Sequence, residues 1–165
     1  MFHLYALNAS MTTALHAGGN MVMLPRFDPK TYVAAIKKYK PTFLHLAPPL
    51  VSFVASCPDI SREDLEQVEH IVAAAAPSGP SLIEKFKRKA PNCVYREGWG
   101  MTETGPTVMF TSLKDEVNGS AGVLLPNTQA KIVDLETGQA LGPNKKGELC
   151  CKGPQVTIYS KHGTM

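Results

Sequence analysis

Residues 70–97 read HIVAAAAPSGPSLIEKFKRKAPNCVYRE, and the fold follows from how that stretch is divided. HIVAAA (70–75) is an apolar run of strand length, SLIEKFKRK (81–89) is helical, and CVYRE (93–97) is a second strand. Ser81 and Glu84 have the spacing of a capping box that would open the helix. Lys85, Lys87, Arg88 and Lys89 gather toward its end, where cations complement the negative pole of a helix. Strand, helix and strand in succession predict parallel neighbours joined by a right-handed crossover.

The same alternation extends toward the N-terminus. NMVML (20–24) has the look of a strand, and DPKTYVAAIKKYK (28–40) that of a helix with Asp28 as N-cap and Pro29 in its first position. Tyr32, Ala35, Ile36 and Tyr39 share one helical face. TFLHL (42–46) reads as a buried strand and PLVSFVASC (49–57) as a short helix. After residue 118 the pattern changes. TQAKIVD (128–134) and GELCCKG (147–153) are strands around Gly- and Pro-rich turns, with no helical period between them. The expected fold is therefore α/β: a parallel sheet flanked by helices over 1–118, then the start of an antiparallel, β-barrel-like subdomain over 119–156. Residues 157–165 form a divergent tail, and the sequence reads as an excerpt of a longer domain.

Composition excludes several classes. A chain of 165 residues that is 44% hydrophobic has material for one core. Its net charge of +3 is too small to make nucleic acid the default partner. The basic runs are read as solvated helix ends. Cysteines 57, 93, 150 and 151 have no zinc spacing and are too few for a disulfide scaffold, so they are read as inert thiols in a reducing compartment. No run reaches the ~18 apolar residues of a membrane span, and no secretory signal opens the chain. An intracellular, cytoplasmic setting is expected, with a peroxisomal one compatible with a full-length parent. His16, His45, His70 and His162 lack metal-ligand spacing and are read as structural or solvent-facing, and Met21 and Met23 as core filler.

GWGMTETG (98–105) directly follows the strand 93–97, which places it at the strand's C-terminal end, where open α/β sheets bind ligands. Gly98 and Gly100 allow close approach of the backbone, Trp99 offers a flat face to a base, and the Thr102 hydroxyl can donate to phosphate. Glu103 beside a phosphate site makes electrostatic sense with a divalent cation between them. Together these residues suit ATP and Mg²⁺. The same residues also suit a glycine-containing loop whose Trp99 fills the core, and they lack the lysine of a Walker motif.

GWGMTETGP resembles the Tyr-Gly-Met-Thr-Glu motif of the adenylate-forming superfamily, with Trp99 in place of the tyrosine. Three further segments match in family order. MFHLYALN (1–8) is similar to the segment carrying the active-site histidine, and HIVAAAAPSGPSL (70–82) to the Ser-Gly-Gly-Ala-Pro-Leu strand and loop, with alanines for its glycines. NTQAKIVDLETGQALGPNKKGELCCKGP (127–154) is similar to the β segment ending in Gly-Glu-Leu and Arg-Gly-Pro. The likeness is to 4-coumarate:CoA ligases and luciferase-like acyl-CoA synthetases, and it covers the chain to about residue 156. It implies ATP-dependent ligation of an aromatic or fatty carboxylic acid to coenzyme A. A luciferase-like adenylating monooxygenase, or a non-catalytic remnant that binds nucleotide or protein, are the alternatives.

By position the resemblance implies that Ala74, Ala75, Ala76 and Pro77 run past adenine and the acyl pocket, with Glu97, Gly98, Trp99, Gly100 and Met101 beneath the base. It implies Thr102 on the α-phosphate, Glu103 on magnesium, and His3 beside the reacting carboxylate. Tyr5, Ala75, Gly100, Pro106 and Thr107 would line the acyl pocket. The family's upstream phosphate loop, its ribose-binding Asp and its C-terminal catalytic Lys have no counterpart in these residues.

Overall fold

The computed structural model describes residues 3–112 and 119–157. Its centre is the strand–helix–strand unit of residues 70–99. Strands β1 (Phe43–Leu46), β2 (His70–Ala73) and β3 (Val94–Trp99) run parallel, in register as Phe43–His70–Val94 through Leu46–Ala73–Glu97. Two short strands, β4 (Met109–Phe110) and β5 (Val123–Leu124), continue the sheet antiparallel in the order β1-β2-β3-β4-β5.

One face of β1–β3 is covered. Leu44, Leu46, Ile71, Ala73 and Tyr95 point to that side and meet Val51 and Val54 of α3 (Pro48–Ser56) and Ile83 and Phe86 of α4 (Pro80–Lys89). Phe86 is fully buried, edge-on to the Tyr95 ring at 5.9 Å. The two helices are also tied by polar contacts. Lys89 Nζ donates to the carbonyls of Val54 and Cys57 at the C-terminal end of α3, and Lys85 Nζ to Ser56 Oγ at 2.8 Å. Cations at a helix C-terminus satisfy carbonyls that have no partner within the helix.

Helix α2 (Pro29–Tyr39) begins as the sequence predicts: Asp28 Oδ2 accepts from the Thr31 N–H at 2.8 Å, with Pro29 at the first position. Its buried side carries Ile36, flanked by Tyr32 and Val33, whereas Tyr39 is 52% exposed and stands outside the expected apolar face. Two other expectations are corrected. Helix α4 is capped by Gly79 with Pro80 in its first turn, so Ser81 already lies inside the helix and no capping box forms. Residues 20–24 form no strand, because nothing among the described residues pairs with them. Val22 and Met23 are 49% and 59% exposed, so Met23 is not core filler.

The chain opens with a π-helical segment, Tyr5–Thr12, which continues into α1 (Thr13–His16). At the other end β6 (Gln129–Val133) and β7 (Glu148–Lys152) form a separate antiparallel pair, Gln129 opposite Lys152 and Val133 opposite Glu148. Cys150 and Cys151 are adjacent on β7, and all four cysteines are free thiols. Among the described residues no helix is long and apolar enough to cross a membrane. Asn118, His162 and residues 158–165 of the tail lie outside the described residues.

Candidate active site

The C-terminal ends of β2 and β3 open into the two loops that carry most of the predicted site residues. Ala74 to Pro77 leave β2, and Glu97 to Gly100 close β3. The loops are tied together: the Ser78 N–H donates to Glu97 Oε1 at 2.8 Å, and the buried Tyr95 hydroxyl donates to Ser78 Oγ at 2.8 Å. Burial raises the Tyr95 hydroxyl above its ordinary range, which keeps it a donor. Ala75 has φ of +78°, a left-handed conformation that costs a residue with a Cβ.

After Trp99 the chain folds back on itself. A Cβ added to Gly100 would overlap the carbonyl oxygen of Pro106, so this glycine is required by the returning strand rather than by a ligand. Met101 leads into a 3-10 turn, Thr102–Thr104, closed by Gly105 at φ +70°. Thr104 is buried, its Oγ1 accepting from the Met101 N–H at 2.9 Å. Thr102 and Glu103 are therefore left exposed on the outer side of the turn. The Glu103 carbonyl accepts from the Thr157 N–H at 2.8 Å, while its carboxylate has no hydrogen bond among the described residues. Gly98 and Trp99 pair with Phe110 and Met109, and the Gly105–Pro106 bond is cis.

The N-terminal segment lies against β2 and the end of the Thr102–Thr104 turn. The Tyr5 hydroxyl donates to the Val72 carbonyl at 2.9 Å, and Asn8 Nδ2 donates to the Gly105 carbonyl at 2.9 Å. Burial drives the Tyr5 hydroxyl far above its ordinary range, so it titrates nowhere near neutrality. His3 is exposed, and its Nδ1 accepts from the Tyr5 N–H at 3.2 Å. In the neutral ring the proton then sits on Nε2, leaving a donor free.

The structure thus gathers Tyr5, Ala74 to Pro77, Glu97 to Gly100 and the turn 101–107 at one end of the sheet, and the His3 ring meets them through the Tyr5 N–H. Sequence reasoning missed Asn8 and Ser78, which make the connecting bonds, Thr104, which closes its own turn, and His45, whose Nδ1 lies 3.4 Å from the Tyr5 hydroxyl. Asn8 carried no signal, because its partner Gly105 is 97 residues away in the sequence. Among the described residues no three His, Cys, Asp or Glu side chains converge as a metal cluster. The exposed Glu103 carboxylate is an oxygen ligand of the kind hard divalent cations take.

The chain is 37% identical over 161 residues to 4-coumarate–CoA ligase 3 of Oryza sativa subsp. japonica, covering 94% of this chain and 29% of that protein. The fold matches a long-chain-fatty-acid–CoA ligase of Archaeoglobus fulgidus with TM-score 0.83 and 27% identity, over 94% of this chain and 33% of that one. It also matches the luciferase-like enzyme of the nonluminescent mealworm Zophobas morio, with TM-score 0.82 and 25% identity, over 94% of this chain and 38% of that one. The chain spans about three tenths of the length of the rice relative. The family model described as AMP-binding enzyme matches residues 1–158, and the chain belongs to that family.

Proposed function

We propose that this chain is part of an ATP-dependent acid–CoA ligase. The observation that carries the reading is the Tyr5–Asn8 segment bonded both to β2 and to the end of the Thr102–Thr104 turn, beside a loop after β2 that is bonded to β3, in a chain similar to 4-coumarate–CoA ligases. Ala74 to Pro77 and Glu97 to Met101 border adenine, and Thr102 donates to the α-phosphate. Glu103 holds magnesium, which when bound offsets the phosphate charge. His3 offers its Nε2–H to the acid, whose acyl group lies along Tyr5, Ala75, Gly100, Pro106 and Thr107.

The substrate carboxylate is the nucleophile. Its oxygen attacks the α-phosphorus of ATP, the bond to the β-phosphate oxygen breaks, and pyrophosphate leaves. The sulfur of coenzyme A then forms the thioester as AMP departs with the carboxylate–phosphate oxygen. The chain's own residues orient the acid in line and place donors where charge moves. Residues 119–156 belong to the same domain as a β subdomain, the partners are small molecules rather than nucleic acid, and the setting is cytoplasmic, with peroxisomal targeting compatible with a longer parent.

Acid-dependent exchange of pyrophosphate into ATP tests the reading. A longer polypeptide that contains this chain is expected to exchange with an aromatic or fatty acid, and no exchange across such a panel would overturn it. The likeness to the mealworm luciferase-like enzyme favours a second reading, an adenylating monooxygenase, which shows the same exchange but consumes oxygen and needs no coenzyme A.

A further inference from the structure

We propose that His45 is a positioning residue, whose Nδ1–H holds the Tyr5 hydroxyl oxygen and thereby fixes the ring that walls the acyl pocket. The pocket role of Tyr5 rests on the function proposed above; the bond itself does not.

His45 on β1 stands opposite Val72 on β2, and Tyr5 lies across both. The Tyr5 and His45 rings meet edge to face, with centroids 5.8 Å apart at 66°. A phenol has one proton, and Tyr5 gives it to the Val72 carbonyl at 2.9 Å. Only lone pairs remain on the side facing His45 Nδ1 at 3.4 Å. A bare Nδ1 there would set two acceptors against each other, so Nδ1 carries the hydrogen. Burial holds the His45 imidazole below its ordinary range, which keeps it neutral and leaves Nε2 bare. On its other side the Phe43 ring lies 4.6 Å away at 31°, which restricts rotation of the imidazole. The restraint passes along the chain, because the Tyr5 N–H is the donor to His3 Nδ1.

The test uses the 165-residue chain and three measurements. Long-range ¹⁵N–¹H spectra of the histidine rings are expected to show His45 with its proton on Nδ1 and His3 with its proton on Nε2; a proton on Nε2 of His45 overturns the assignment. Amide exchange of residues 5–12 is expected to quicken about tenfold in His45→Phe and to stay near wild type in His45→Asn, whose amide can donate from a similar place, with α4 unchanged in both. Equal exchange in the two variants overturns the bond. Titration with AMP and with a non-hydrolysable aryl-acyl sulfamate of adenosine reads the pocket. His45→Phe is expected to weaken the acyl compound about tenfold and leave AMP unchanged, with His45→Asn restoring it; equal loss on both ligands overturns the positioning role. Failure of wild type to bind either ligand defeats the site reading and the pocket role with it, while tautomer and exchange still decide whether His45 holds Tyr5.

Discussion

Ser78, in the loop after β2, and Glu97, on β3, are joined by a 2.8 Å bond from the Ser78 N–H to Glu97 Oε1. The same serine's Oγ accepts from the Tyr95 hydroxyl, so one residue links a backbone amide, a carboxylate and a buried phenol. Glu97→Gln keeps an acceptor oxygen and is expected to melt near wild type. Ser78→Ala strands the Tyr95 hydroxyl, buried to 4% exposure, and is expected to cost about 1–3 kcal/mol in denaturant unfolding. A wild-type midpoint for Ser78→Ala would show that the serine does not hold Tyr95.

Ala75 is the next test, because its φ of +78° is one glycine adopts freely. An L-residue there gives up about 1–2 kcal/mol, whereas glycine adds about 0.4–1 kcal/mol of unfolded-state entropy to be overcome. The difference predicts that Ala75→Gly leaves stability unchanged or raises it by up to about 1.6 kcal/mol. Ala74→Gly, half-buried and outside the left-handed region, is expected to lose stability. Parallel urea curves decide it: comparable losses in both would place Ala75 in an ordinary conformation.

How far the sequence carried these conclusions depends on the range of the interaction. The strand–helix–strand of residues 70–99 was legible because apolar runs and turn residues are local signals. The loop positions of Thr102 and Glu103 were legible for the same reason. The strand expected at 20–24 failed because a strand is defined by its neighbour, and local alternation cannot supply one. The capping box failed through competition, since Pro80 fits the first turn and moves the helix start to Gly79. The reason for Gly100 was misread because the Pro106 carbonyl that excludes a Cβ arrives only once the chain has folded back. His45 and Tyr5, forty residues apart, meet through the sheet and leave no spacing to read.

Stability should fall with acid in two stages. Burial lowers the His45 pKa from its ordinary 6.5, so between its folded value and 6.5 the unfolded chain binds more protons than the folded one. Stability is then full above about pH 6.5 and is lost as pH falls through the folded value. The second stage belongs to Asp28, Asp64 and Asp134, each held below 3.8 chiefly by hydrogen bonds, from Thr31, Ser61 and Thr137. Their contribution is present above that value and disappears as pH falls beneath it. His45→Phe should abolish the first slope and leave the second. A slope that persists in the variant would assign it to another group.

Glu103 separates site from scaffold most directly. Its backbone is structural, since the carbonyl receives the Thr157 N–H, but its carboxylate is exposed and bonds to nothing among the described residues. Glu103→Gln keeps size and backbone and removes only charge. The unfolding midpoint is therefore expected to stay within about 0.5 kcal/mol of wild type, the usual range for an exposed substitution. In a longer polypeptide with exchange activity, the same change should raise the magnesium concentration for half-maximal rate and lower the rate at saturation, because a hard cation loses its anionic ligand. A magnesium dependence identical to wild type would move the cation away from the turn, and a large fall in melting temperature would return Glu103 to the scaffold.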